Sequence, residues 1–164
     1  MLYAETQNTA SELTEIQSII ESNSFVAYFQ QIISVSRKMV IGIEGLIRGI
    51  DTANGDMISA RELFSEADGE GFSLELDRKC RAKILDEFCK IYPYGSEKLL
   101  FLNIDAAILE ASVGSGYLMN QVKKCGVSSK NIVIEISEKS YLSSATLKRF
   151  ADTYRKLGFM VALD

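Results

Sequence analysis

The period of apolar and polar positions changes from helical to strand-like within the first fifty residues. Apolar residues recur at helical spacing over 9–22, and Thr9 followed by Glu12 predicts a capping box at the start of that helix. Two runs rich in β-branched and aromatic residues then occupy 25–35 and 39–50. The short polar break between these runs predicts two strands joined by a hairpin.

Two helices are predicted between this hairpin and the next strand. A polar loop covers 51–56, and Ser59 with Glu62 forms a second capping-box pattern for a short helix that ends near Gly71. A longer helix with apolar residues at helical spacing follows and ends near Pro93.

The rest of the chain alternates apolar strands with helical segments. The predicted elements are a strand at 98–104, a helix from about 106 to 124, a strand at 131–136, a helix from about 144 to 157 and a strand at 159–164. This alternation is typical of βαβ units in a parallel sheet that is buried on both faces. A complete (β/α) barrel takes about 250 residues. The pattern therefore predicts an α/β fold: an incomplete TIM-like barrel with an initial antiparallel hairpin and then parallel βα units.

Composition narrows the classes of chemistry. The 164 residues carry 18 Lys and Arg against 22 Asp and Glu, with 47% hydrophobic residues and no histidine. No run is long and apolar enough for a membrane span, and the first residues lack a signal-peptide pattern, so a cytoplasmic protein is expected. The acidic balance argues against long nucleic acid as a partner. The absence of histidine excludes histidine bases and histidine-ligated zinc.

The three cysteines are Cys80, Cys89 and Cys125. Their number is odd and their spacing matches no common metal site. We expect them to be reduced core thiols.

Polar side chains interrupt four of the apolar strands. They are Glu44, Asn103, Glu135 and Asp164. A buried, unpartnered carboxylate costs several kcal/mol, and in α/β sheets active sites lie at the carboxyl ends of the strands. Three carboxylates with an amide oxygen are hard ligands that suit Mg²⁺, Mn²⁺ or Ca²⁺. Each residue alone is better explained as a strand-end polar group capped by backbone or by a lysine, whereas the four together favour a metal site.

Five ordered motifs resemble one family. Glu44-Gly45-Leu46 with Ile47-Arg48 is similar to the E-(A/G)-L-x-R signature of EAL domains, the bacterial phosphodiesterases that cleave the signalling molecule cyclic di-GMP. The segments YFQQI, LFLNI, IVIEISE and ALD resemble further motifs of that family, in the same order. The resemblance covers 25–164, so we expect 1–24 to form an N-terminal helix and 25–164 the N-terminal part of an EAL domain.

The resemblance implies a role for each matching residue. It implies that Glu44, Asn103, Glu135 and Asp164 bind Mg²⁺ or Mn²⁺, and that the three carboxylates among them are catalytic. Gln30, Leu46 and Arg48 would contact cyclic di-GMP, and Glu138 would support a neighbouring loop. Two alternatives stay open: Arg48 as a surface arginine at a strand end, and Glu138 as a solvated acid in the first turn of a helix.

The chain also departs from the family pattern. Gln31 replaces a proline, Asp105 replaces a serine, and the second aspartate, the lysine and the later glutamate of the family have no counterpart. We therefore expect an inactive fragment with about half to two thirds of a barrel, which self-associates and whose parent protein carries other signalling domains. As a complete domain it would be a cyclic di-GMP phosphodiesterase. The alternatives are a non-catalytic cyclic di-GMP receptor and a protein-interaction scaffold.

Overall fold

A computed structural model of the chain describes residues 13–92, 97–104, 108, 116–136 and 143–163. The elements in chain order are α1 Glu15–Ser22, β1 Phe25–Ser34, β2 Met39–Ile50, β3 Met57–Ile58, α2 Ala60–Glu70, α3 Ser73–Ile91, β4 Leu99–Ile104, α4 Tyr117–Lys124, β5 Ile132–Ile136, α5 Ser144–Lys156 and β6 Met160–Leu163. No helix within these ranges is long and apolar enough to cross a membrane.

One mixed sheet organises the structure. Its strand order is β1-β2-β4-β5-β6, with β3 paired to β2. The pairs β1–β2 and β2–β3 are antiparallel, whereas β2–β4, β4–β5 and β5–β6 are parallel. The initial hairpin and the parallel units that follow confirm the predicted fold class.

The hydrophobic core lies between the helices and one face of this sheet. Helix α3 contacts β1, β2 and β4, and α5 contacts β6. The fully buried side chains include Leu85 of α3, Leu100 and Leu102 of β4, and Ile134 of β5. Because residues two apart on a strand share a face, burial of one set of side chains in this core places the alternate set on the opposite face of the sheet.

The helix predicted over 9–22 is confirmed from Glu15 onward. Helix α1 starts at Glu15, and its N-cap is Thr14, whose hydroxyl accepts from the backbone N–H of Gln17 at 3.3 Å. Thr14-x-x-Gln17 repeats the capping-box pattern of Thr9 and Glu12, and the extended backbone at Thr14 interrupts any helix continuing from residue 9. Thr9 and Glu12 themselves lie outside the described residues.

The helix predicted from about 106 to 124 is not continuous, because Gly116 interrupts it; within 106–115 the structure describes only residue 108, which is helical. In the described residues α4 begins at Tyr117, because Gly116 has a left-handed φ of 66° and serves as its N-cap. A left-handed residue cannot continue a right-handed helix. The short strand β3, which pairs Ile58 with Gly49, was not expected from the sequence at all.

The cysteines differ in their surroundings. All three are free thiols. Cys80 is 3% exposed and belongs to the core, as expected. Cys89 and Cys125 are only half-buried, so they lie at the edge of the core rather than within it.

Candidate active site

Strand β2 separates its residues cleanly onto two faces. Ile43 and Ile47 are buried on the helix side, and Gly45 lies between them against Ile84 of α3. Glu44, Leu46 and Arg48 occupy the alternate positions and are half-buried on the opposite face. The E-G-L-x-R segment therefore presents its polar members on the face that α3 leaves open.

The hairpin adds residues of β1 to the same face. Antiparallel pairing sets Gln30 opposite Glu44 and Tyr28 opposite Leu46. Directly paired residues project on the same side of a sheet. Tyr28 also donates from its hydroxyl to Sδ of Met57 at 3.1 Å. Tyr28 was not singled out from the sequence, and its position across from Leu46 depends on a β-bulge between Ile32 and Ile33 that shifts the register of the hairpin.

The next two parallel strands bring further site residues alongside Glu44. Glu44 is paired with Phe101, and Asn103 is paired with Glu135. The side-chain amide nitrogen Nδ2 of Asn103 donates to Oε1 of Glu44 at 2.6 Å. Three neighbouring strands thus bring together Glu44, Asn103 and Glu135, which the sequence had predicted to converge.

The chemistry of this cluster fits a hard cation. Asn103 is exposed, whereas Glu44, in the middle of β2, and Glu135, one residue before the end of β5, are half-buried. Because Nδ2 of Asn103 is the atom that donates to Glu44, its Oδ1 is a separate acceptor, and carboxylate and amide oxygens are ligands that Mg²⁺, Mn²⁺ and Ca²⁺ accept. Among the described residues no three His, Cys, Asp or Glu side chains form a metal-binding group. Asp164 and Glu138 lie outside the described residues.

Arg48 has a local partner in this structure. Its Nη1 donates to the carbonyl oxygen of Ile47 at 2.7 Å. Arg48 is paired with Val26 of β1, so its backbone position shares the face of Gln30 and Leu46. Its position on this face agrees with the expected role, while its side chain is held close to β2.

Known proteins resemble this chain over most of its length. The EAL domain model matches residues 13–164. "Probable cyclic di-GMP phosphodiesterase PdeB" of Escherichia coli (strain K12) is 20% identical over 149 residues, which are 91% of this chain and 29% of that protein.

Solved structures share the fold. The Bacillus subtilis YkuI protein, with an EAL domain and in complex with cyclic di-GMP and calcium, has a TM-score of 0.73 and 26% identity over 93% of this chain and 38% of its own. Klebsiella pneumoniae BlrP1, in a complex with manganese and cyclic di-GMP, has a TM-score of 0.69 and 22% identity over 86% of this chain and 34% of its own. The chain thus spans well under half the length of these three proteins. The match of the EAL model to most of the sequence shows that the chain belongs to the EAL domain family.

Proposed function

We propose that Glu44, Asn103 and Glu135, together with Asp164, hold a divalent cation, and that the domain to which they belong hydrolyses cyclic di-GMP. The observation that carries this proposal is the 2.6 Å hydrogen bond from Asn103 to Glu44, because it joins two strands at the level where the sheet register adds Glu135. Alternation along β6 from Ala162, which is paired with Glu135, would bring Asp164 to the same face.

Two observations support cyclic di-GMP as the proposed substrate: the ligand bound by a relative, and the residues that share the face of Glu44. YkuI, at 26% identity, is described in complex with cyclic di-GMP and calcium. In this chain Gln30, Leu46 and Arg48 share the face of Glu44. An arginine guanidinium binds phosphate oxygens with two parallel hydrogen bonds. We assign Arg48 to a phosphate, which requires its Nη1 to leave the carbonyl of Ile47, and Gln30 and Leu46 to the rest of the dinucleotide.

The roles of the remaining residues are proposed on the same basis. A bound Mg²⁺ or Mn²⁺ supplies an activated water and neutralises charge on the phosphoryl oxygens. Glu44 and Glu135 provide the charged ligands, and Asn103 orients Glu44 through its donated hydrogen bond while offering its own amide oxygen. Glu138 would steady the loop after the strand that carries Asp164.

We further propose that the 164-residue chain alone binds cyclic di-GMP without hydrolysing it. Two-metal hydrolysis requires ligands for both cations. Glu44, Asn103, Glu135 and Asp164 amount to one such set, and the chain corresponds to 29% of PdeB. A longer protein containing this chain would supply the second set.

The decisive experiment is a calorimetric titration of the chain with cyclic di-GMP in Mn²⁺, beside chromatographic analysis of the nucleotide. We expect binding that needs the cation, no linear dinucleotide, and at least a ~10-fold weaker affinity for Glu44→Gln, since a charged ligand is removed. Asp152→Asn, an exposed acid on α5, is the matched control and should bind like the parent.

The other outcomes distinguish the alternatives. Cation-dependent binding by the chain, with no hydrolysis by the longer protein, would favour a receptor. If neither the chain nor the longer protein binds cyclic di-GMP, the remaining alternative is a protein-interaction scaffold. Equal affinity of Glu44→Gln and the parent would overturn the assignment of the metal site.

A further inference from the structure

A second group of reactive side chains lies away from the site, in a cleft of about 450 Å³ between α3 and α4. Cys89 and Cys125 both line it. Cys89 lies near the carboxyl end of α3, and Cys125 is the residue that ends α4. Both are half-buried, so each is shielded in part and still reachable by a small molecule.

The contacts of Cys125 place its sulfur on the same patch of α3 as Cys89. Sγ of Cys125 donates to Oδ1 of Asp86 at 3.5 Å. Asp86 lies three residues before Cys89 on α3, and residues at that spacing are neighbours on a helix face. Each thiol is also close enough to the other to influence its pKa. Two sulfurs on separate helices are therefore direct neighbours within one open cleft.

We propose that Cys89 and Cys125 are a redox-sensitive pair that forms a disulfide between α3 and α4. The oxidant is a low-molecular-weight disulfide such as oxidised glutathione. The Cys89 thiolate attacks one sulfur of the oxidant, which forms a mixed disulfide and releases the first small thiol. The Cys125 thiolate then attacks Sγ of Cys89 and releases the second small thiol. The two cysteines lose two protons and two electrons, and the oxidant is reduced to two thiols.

Burial and the charged groups around the cleft control the rate of this thiol–disulfide exchange. Burial raises the pKa of Cys89, and burial with the neighbouring Cys89 and Asp86 raises the pKa of Cys125 to about 12. Lys83 and Lys90 on α3 also line the cleft but are occupied by Glu87, at 3.0 and 2.9 Å. Lys124 lines the α4 side. Because the thiolate is the attacking species, exchange is slow at neutral pH and accelerates as pH rises.

This pair has a consequence for the fold that does not depend on the proposed function. Helix α3, which carries Cys89, also carries Ile84, and Ile84 packs against Gly45 next to Glu44. A disulfide between Cys89 and Cys125 restricts the conformations of the unfolded chain. It should therefore raise the melting temperature of the oxidised protein.

The test is incubation of the folded chain with oxidised glutathione between about pH 7 and pH 9, a range around the ordinary thiol pKa. Remaining thiols are then blocked with N-ethylmaleimide, and peptides are mapped by mass spectrometry. We expect Cys89 to be linked to Cys125 of the same chain, with a link that forms faster at the higher pH and is reversed by a small dithiol. Cys80→Ala should form the same link, because Cys80 is buried elsewhere in the core.

Single variants complete the test. Cys89→Ser and Cys125→Ser should each lack the link, and Cys125→Ser should retain a glutathione on Cys89. Asp86→Asn should speed the reaction, because the carboxylate raises the pKa of Cys125. The proposal is overturned if the parent chain stays reduced across the whole pH range, if it forms only disulfides between molecules, or if its link involves Cys80.

Discussion

Gly45 of β2 lies so close to Ile84 of α3 that a Cβ atom at position 45 would overlap the Cγ2 methyl of Ile84. The overlapping methyl is attached to a branched Cβ, so it cannot move aside by rotation of a distant side-chain bond. Since Gly45 lies between Glu44 and Leu46, the fit of α3 against the sheet fixes the backbone that presents both residues.

Gly45→Ala should therefore destabilise the chain by about 1–3 kcal/mol through overpacking. Ile84→Ala alone should cost about 2–5 kcal/mol, and the double variant should lose less than the sum, because alanine at 45 fills space that Ile84 vacates. Urea unfolding of the four proteins measures this coupling. Gly69→Ala is the control: it has open space around it in α2 and should be neutral or stabilising. Additive losses would show that the two residues do not share the space.

Most strands and the starts of α2 and α5 could be predicted closely, whereas the start of α1 could not. Strands 25–34 and 39–50 follow from a local period and a polar turn. The start of α1 was wrong because two capping boxes follow one another, and local sequence does not say which one is used. The packing of Gly45 on Ile84 joins residues far apart in the chain, so no local pattern contains it.

The candidate site likewise has some features that the sequence could predict and others that depend on how the strands are paired. Glu44, Asn103 and Glu135 could be proposed from sequence because a polar residue in an apolar strand is a local signal. The donation from Asn103 to Glu44 depends on the register of two strands that are not consecutive in the chain. The position of Tyr28 opposite Leu46 depends on the register of the hairpin, which shifts at a β-bulge between Ile32 and Ile33 that no local sequence pattern indicated.

Arg81 and Asp77 of α3 form a buried ion pair that should be important for stability. Nη2 of Arg81 lies 2.6 Å from Oδ2 of Asp77, and each side chain is 4% exposed. Arg81→Met should cost about 3–5 kcal/mol, because it leaves a buried carboxylate without its cation. Arg149→Met, at an exposed arginine of α5, should change the free energy of unfolding by no more than about 0.5 kcal/mol.

A paired replacement separates charge from packing at this position. The double variant Asp77→Leu with Arg81→Met should be more stable than Arg81→Met alone, because no unpaired charge remains. Thermal unfolding of the three proteins would reveal this order. A double variant less stable than Arg81→Met would show that the Asp77 carboxylate is needed for other contacts.

Asn103→Asp should make stability depend on pH and on divalent cations. The substitution replaces the donated hydrogen bond to Glu44 by two adjacent carboxylates. Their repulsion raises the pKa of one carboxyl in the folded state, so the folded state binds more protons than the unfolded state. The variant should lose about 1 kcal/mol of folding stability at this exposed position. The whole loss should be present above the raised pKa and should disappear as pH falls through it.

Thermal melts at about pH 5 and pH 8, with and without Mn²⁺, test this expectation, since the two values bracket a raised carboxyl pKa. Mn²⁺ should raise the melting temperature of Asn103→Asp more than that of the parent, because a cation between the carboxylates cancels their repulsion. Asn120→Asp, an exposed position on α4, should respond to neither condition. The same melting temperature at both pH values would rule out a close contact between residues 44 and 103.

The chain should self-associate through the edges of its sheet. Among the described strands, β1 and β6 each have one paired side, and Leu163 of β6 is 62% exposed. An open strand edge with apolar side chains recruits another strand. Sedimentation should show a dimer fraction that increases with protein concentration, and Leu163→Lys should shift the equilibrium toward monomer. Leu157→Lys, at a 41% exposed leucine beyond α5, should leave the dimer intact because it lies off the strand edge. A concentration-independent monomer would show that both edges are protected.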